Sequence, residues 1–171
     1  MTENRVDPTV AGLFLVAFIT LIFGFLGVSL YSANEIFGAI PAAGLATLVG
    51  IMFIVLTVSA IRCGNAFAAA LFAFVAISLL AVSSSFGTSA FVFILLGIMY
   101  IVFALVALII GAPKLLMILL FLVGLLYIFV GAFVYDGGDT FALLFGVFGI
   151  LSGVVALYLG FALSTQKLPV F

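Results

Sequence analysis

The sequence has 171 residues, of which 69% are hydrophobic and 5% carry a charge, and its formal net charge is −1. Soluble proteins carry about 25% charged residues, so this composition cannot cover a water-facing surface and excludes a soluble domain. The chain has no histidine and a single cysteine. These counts exclude a zinc site or a disulfide built within one chain.

Six long apolar stretches follow one another along the chain. A bilayer core about 30 Å thick is crossed by roughly 20 apolar residues in a helix, and stretches of about that length occupy residues 9–31, 36–61, 65–82, 90–110, 115–135 and 141–165. They lack the alternating polarity of the strands of a membrane β-barrel, and the first is too long for a signal peptide. We therefore predict an all-α integral membrane protein of the cell (plasma or inner) membrane. A six-transmembrane-helix bundle at 9–165 is expected between a short N-terminal segment, 1–8, and a C-terminal tail, 166–171.

The charged residues divide between the two ends of this bundle. One side carries all the basic residues and the other side carries only acidic ones: Arg5, Arg62, Lys114 and Lys167 against Glu35, Asp136 and Asp139. Basic residues mark cytoplasmic loops. Both termini are therefore expected in the cytoplasm.

The turn between the second and third predicted helices reads RCGN. Glycine commonly ends a helix and asparagine commonly caps the start of one, so Gly64 and Asn65 are expected to separate these two helices. The last predicted helix contains a GxxxG pair, Gly149 and Gly153, of the kind that lets membrane helices approach closely. Such glycines indicate helix–helix contact; the alternative is that some of them widen a pore or admit a neighbouring subunit.

The residue types within the predicted spans also limit which classes of function the protein can have. No Asp, Glu, Lys or Arg lies deep in a predicted span, as intramembrane proton relays require, and the serines have no general base to activate them. An enzyme is not expected, nor a cofactor, a metal or a nucleic-acid partner. Several side chains at membrane depth are candidates for lining a solute path, unless their hydroxyls bond to their own helix carbonyls: Thr20, Thr47, Thr57, Ser78, Tyr100, Tyr127 and Tyr158.

Three patches of the sequence resemble the acetate uptake transporter family, the succinate–acetate permeases. The stretch DPTVAGL is similar to the family's Asn-Pro-x-Pro-x-Gly-Leu motif before helix one: Pro8, Gly12 and Leu13 match, while Asp7 stands for the asparagine and Val10 for the second proline. The family's Gly-Asn-x-Phe is present as Gly64, Asn65 and Phe67, with Phe72 following in register. The glycine-rich last helix is similar at Gly146, Gly149, Gly153, Ala156 and Tyr158, and a Leu168-Pro169 pair lies in the tail.

This resemblance implies a function and a set of site residues. Members of the family form hexamers, and each protomer has its own path for acetate and related small monocarboxylates, with succinate in some members. A hydrophobic constriction narrows the path, and the resemblance places Val16, Val75 and Phe121 there, with valines where the family commonly has Phe and Tyr. Asn65 and the helix start near Thr9 are expected to favour the anion, whereas a carboxylate at Asp7 would repel it. Thr20, Phe72, Tyr100 and Tyr158 are further candidates for lining the path.

Two other functional classes remain open on the sequence. One is a channel or transporter for another small solute, such as ammonia, urea or fluoride. The other is a structural membrane protein that transports nothing. The sequence does not distinguish a passive channel from a proton-linked carrier, because the acid itself can carry the proton.

Overall fold

The computed structural model describes residues 8–28, 42–83, 89–165 and 169. Over these ranges the chain forms six helices, which we number α1 to α6: Thr9–Gly27, Ala42–Arg62, Ala66–Ser83, Ala90–Ile109, Lys114–Asp136 and Asp139–Thr165. All six are long and apolar enough to cross a membrane. The predicted all-α, six-helix architecture is confirmed. Residues 29–31 and 36–41 of the first two predicted stretches lie outside the described residues. Arg5, Asp7, Glu35, Lys167 and Leu168 lie outside the described residues.

The helices pack chiefly in three pairs, which are α1 with α6, α2 with α3, and α4 with α5, and α5 also packs on α6. Glycines allow the backbones of α1 and α6 to touch. A Cβ placed on Gly149 would lie 2.7 Å from the Cα of Gly24, and one placed on Gly146 would lie 2.7 Å from the carbonyl carbon of Gly27. The glycine-rich stretch of α6 therefore serves contact between helices, as predicted, and its partner is the first helix of the same chain.

A second glycine contact, which the sequence did not lead us to expect, joins α4 and α5. A Cβ on Gly97 would lie 2.6 Å from the carbonyl oxygen of Gly124, and one on Gly124 would lie 2.9 Å from that of Gly97. In a membrane, where lipid is as apolar as leucine, such close backbone approach is a main source of attraction between helices. The contact fixes the position of α5 relative to α4.

The order of the helices places the described charges at opposite ends of the bundle. α2 ends at Arg62 and α5 begins at Lys114, both at the end where α1 and α3 begin. Asp136 and Asp139 lie at the opposite end, where α5 ends and α6 begins. We call the end with the basic residues the basic end.

Candidate functional site

A cavity of about 300 Å³ lies inside the bundle and is walled mainly by α1, α3 and α5. It includes residues of the basic end, among them Asn65 and Pro113, and it continues along the helices to Thr20 and Tyr127. Among the described residues that line it, none is charged. We call this space the central cavity.

Helical spacing explains why these side chains face the same space. The lining positions recur every three or four residues, which places them on one face of each helix. The lining residues of the three main walls are Thr9, Gly12, Leu13, Val16, Ile19 and Thr20 on α1, Phe67, Ala68, Leu71, Phe72, Val75 and Leu79 on α3, and Leu116, Leu119, Leu120, Val123 and Tyr127 on α5.

Asn65, in the turn between α2 and α3, lines the central cavity and is only half-buried, so we call this part of the cavity its mouth. Gly64 has φ +74°, a left-handed conformation that glycine adopts without steric cost. Its N–H donates to the Ile61 carbonyl at 3.0 Å and the Asn65 N–H donates to the Ala60 carbonyl at 3.0 Å, which is the Schellman arrangement that ends a helix. The turn thereby delivers Asn65 to the first position before α3.

Asn65 caps α3 and also lines the cavity. Its Oδ1 accepts a hydrogen bond from the Ala68 N–H at 3.1 Å, which satisfies one of the unpaired amides at the helix start. Because the cap uses Oδ1, the Nδ2 amide group does not take part in it. Asn65 therefore combines the predicted cap with a position on the cavity wall.

Val16, Val75 and Leu120 line the cavity midway along its length. The cavity continues beyond them, since Thr20, Leu79 and Tyr127 also line it farther from the mouth. Near the mouth, the Phe72 ring packs directly on the backbone of Gly12, so a larger residue at position 12 would displace the ring. Both valines of the predicted constriction lie on the cavity wall.

Thr20, Tyr100 and Tyr127 line the cavity at the end far from Asn65, and Ser78 lies behind them. The rings of Tyr100 and Tyr127 are stacked with centroids 5.3 Å apart, and the Tyr100 hydroxyl donates to Ser78 Oγ at 3.4 Å. Ser78 Oγ donates to the Phe74 carbonyl at 2.8 Å, and Thr20 Oγ1 donates to the Val16 carbonyl at 2.8 Å. Thr20 and Ser78 thus follow the predicted alternative of bonding to their own helices. We call this group of residues the inner end.

The structure brings ten of the predicted site residues together on the cavity wall: Thr9, Gly12, Leu13, Val16, Thr20, Asn65, Phe67, Phe72, Val75 and Tyr100. Pro8 and Gly64 do not line it. Pro8 precedes α1, where its carbonyl accepts from the Gly12 N–H at 3.0 Å, and Gly64 shapes the turn before Asn65. The Tyr158 hydroxyl donates to the Pro169 carbonyl at 3.1 Å and does not face the cavity. Asp7 lies outside the described residues.

Phe121 requires a correction. Its side chain is 47% exposed on the outer face of α5, whereas Leu120 is 4% exposed and lines the cavity. Adjacent positions on a helix point about 100° apart, so a shift of one residue exchanges a cavity-facing position for an outer one. The cavity-facing residue on α5 at this depth is Leu120.

Sequence reasoning did not identify several wall residues, including Leu71, Leu79 and Val123. A signal was available, because Leu71 and Leu79 lie four residues on either side of Val75 and therefore on the same face of α3. In helices that are apolar all round, however, hydropathy does not distinguish a cavity wall from a surface that faces lipid.

Comparison with known proteins identifies the fold. No family model matches the sequence, and no curated protein matches it. Among solved structures, the bacterial acetate channel SatP superposes with a TM-score of 0.74 at 17% sequence identity, over 97% of this chain and 99% of that chain. The six-helix fold of the present chain is thus the fold of that channel.

Proposed function

We propose that the protein is a membrane channel or transporter for acetate and related small monocarboxylates, which pass through the central cavity. The observation that carries the proposal is this uncharged cavity, with an amide side chain at its mouth, inside the fold of a bacterial acetate channel. The resemblance of three sequence patches to the acetate uptake transporters points to the same solute. Ten of the residues predicted for the site line one cavity, which supports the assignment of the path.

The helix starts at the mouth favour an anion. α1, α3 and α5 all begin at the basic end, at Thr9, Ala66 and Lys114, and each helix start carries about half a positive elementary charge. Residues near all three starts line the cavity. A carboxylate entering there meets partial positive charges from three sides, which offsets part of the loss of its hydration.

Asn65 has a specific role in this proposal. Leaving water without a compensating hydrogen bond costs a charged group many kcal/mol. With Oδ1 used for the cap, the Nδ2 amide donates to the carboxylate. A neutral donor holds the anion less tightly than a lysine or arginine would, and conduction requires binding weak enough for the ion to leave.

The proposal extends to the setting of the protein. Both termini and the basic end face the cytoplasm of the cell membrane, on the positive-inside rule. By family resemblance, six copies assemble and each has its own path. The protein is a transporter and not an enzyme.

The function is tested by uptake of labelled acetate into liposomes that contain the purified protein, with protein-free liposomes as the baseline. Wild type is compared with Asn65→Ser and Asn65→Asp, after each has been checked for its elution volume and melting temperature. Serine and aspartate cap helices about as well as asparagine, so both variants should fold normally. An ionised aspartate has no donor and repels the substrate. Losing a hydrogen bond to a charged group costs about 1.5–3 kcal/mol. The acetate flux of Asn65→Asp should therefore be less than a tenth of the wild-type flux at pH 7.

The pH dependence gives a second readout. The carboxyl group introduced by Asn65→Asp regains a donor when it is protonated, near an ordinary aspartate pKa of about 4. The ratio of its flux to that of wild type should therefore rise as the pH falls from 7 toward 5. Wild-type uptake no greater than the baseline would refute the acetate function. Equal flux for Asn65→Asp and wild type at pH 7 would leave Asn65 as a helix cap only.

A further inference from the structure

The central cavity is larger than acetate requires. A water molecule takes about 30 Å³, so the four non-hydrogen atoms of acetate take on the order of 100 Å³ on the same scale. The cavity measures about 300 Å³. It is also long, because Thr9 and Thr20 both line it and are separated by about 16 Å at 1.5 Å per helical residue.

The extra space is bounded by hydrocarbon. Inward of Asn65 along α3, the cavity wall carries Leu71, Phe72 and Val75 in turn, and Val16 lines it from α1. These side chains bound an apolar space that reaches Val75, about 15 Å along α3 from Asn65. Its chemistry suits the alkyl chain of a substrate.

The inner end has hydroxyl groups, but their protons are already donated within the protein. The hydroxyl of Tyr100 donates to Ser78 Oγ, and that of Ser78 to the Phe74 carbonyl. Thr20 donates to the Val16 carbonyl, and the hydroxyl of Tyr127 is hydrogen-bonded to that of Tyr100. A second carboxylate placed there would lose its hydration without gaining these donors, at a cost of several kcal/mol. The inner part of the cavity therefore disfavours dicarboxylates.

We infer that the central cavity binds straight-chain monocarboxylates of four to six carbons in preference to acetate, with the carboxylate at Asn65 and the alkyl chain extending inward past Phe72 toward Val16 and Val75. The inference rests on the proposed function, from which it takes the carboxylate as the headgroup of the substrate. Hexanoate has eight non-hydrogen atoms and takes roughly 240 Å³ on the scale used above, so the cavity has room for it. Each buried methylene raises affinity about fourfold, so butyrate should bind about 15-fold more tightly than acetate.

Two measurements test the inference. The first is the concentration of unlabelled acetate, butyrate, hexanoate or succinate that halves labelled acetate uptake at pH 8, where little neutral acid crosses the lipid. The second is the rise in melting temperature of the purified protein with each acid, which reports binding without any need for flux. We expect the half-inhibitory concentration to fall from acetate to butyrate to hexanoate, and succinate to be the weakest competitor.

A matched pair of variants on α3 separates binding in the cavity from a general effect of fatty acids on membrane proteins. Val75→Phe fills the space for the alkyl chain, whereas Ile77→Phe adds a similar ring on the outer face, where Ile77 is 61% exposed. Val75→Phe should remove the preference for hexanoate over acetate, and Ile77→Phe should retain it. Val16→Phe, which fills the same space from α1, repeats the test if Val75→Phe does not fold.

The outcomes distinguish this inference from the proposed function. Acetate uptake above the baseline, with no tighter competition by butyrate or hexanoate, would overturn the inference and leave the function standing. Thermal stabilisation by hexanoate that Val75→Phe abolishes, without any acetate uptake, would support the inference and refute acetate transport. Equal stabilisation of wild type and of both cavity-filling variants would identify a detergent-like effect and overturn the inference.

Discussion

Replacing Gly149 by alanine measures how closely α1 and α6 are packed. A Cβ at this position would lie 2.7 Å from the Cα of Gly24 and 2.9 Å from the Thr20 carbonyl oxygen, whereas carbon atoms make their best contacts at about 3.5–4.0 Å. Both neighbours are backbone atoms of α1. They cannot turn aside, so the helices must separate by about 1 Å.

Gly160→Ala, on the same helix, is the matched control. A Cβ there would lie 3.3 Å from the ring of Phe14, a side chain that can shift by a few tenths of an ångström. Both substitutions gain about 1 kcal/mol of helix propensity, so this term cancels when the two variants are compared. What remains is the overpacking at Gly149, about 1–3 kcal/mol.

The assay is thermal unfolding of the purified protein in mild detergent, followed by circular dichroism. For a chain of this size, 1 kcal/mol corresponds to about 2–4 °C. Gly149→Ala should therefore melt roughly 2–12 °C below Gly160→Ala. Equal melting temperatures, or a lower one for Gly160→Ala, would show that the backbones of α1 and α6 are not in this contact.

Two further predictions follow from the ends and the wall of the bundle. A membrane-impermeant thiol reagent should label Cys63 only after intact cells are permeabilised, whereas Thr140→Cys in a Cys63→Ser background should be labelled from outside; the reverse pattern would invert the proposed topology. Leu120→Phe should lower acetate flux several-fold by narrowing the cavity, while Phe121→Ala on the outer face should leave flux near that of wild type. A larger loss for Phe121→Ala would place Phe121 on the path instead of Leu120.

The sequence predicts the six helices well, because the bilayer imposes their length and because polar interruptions mark their ends. It also predicts the turn at Gly64 and Asn65, where local backbone requirements select the residue types. It does not reveal which helices pair. Gly97 and Gly124 lie in different helices, and neither belongs to a spacing motif that names its partner.

The position of a wall residue on α5 was equally hard to predict. α5 is apolar on all sides, since both Leu120 on the cavity and Phe121 on the outer face are hydrophobic. A soluble amphipathic helix would carry a polar residue at one of two such positions, and this signal is missing in a membrane span. Only the three-dimensional packing identifies Leu120.

The contact between α1 and α6 also constrains the order in which the helices of one chain can pack together. The partners in α2–α3 and in α4–α5 are neighbours along the chain, so each pair can associate as soon as its second helix enters the membrane. The glycine face of α1 must wait for α6, because Gly146 and Gly149 belong to the last of the six described helices. Contacts between distant parts of a chain form later than local ones. The cavity wall contributed by α1 therefore depends on α6, a helix more than 100 residues away along the chain.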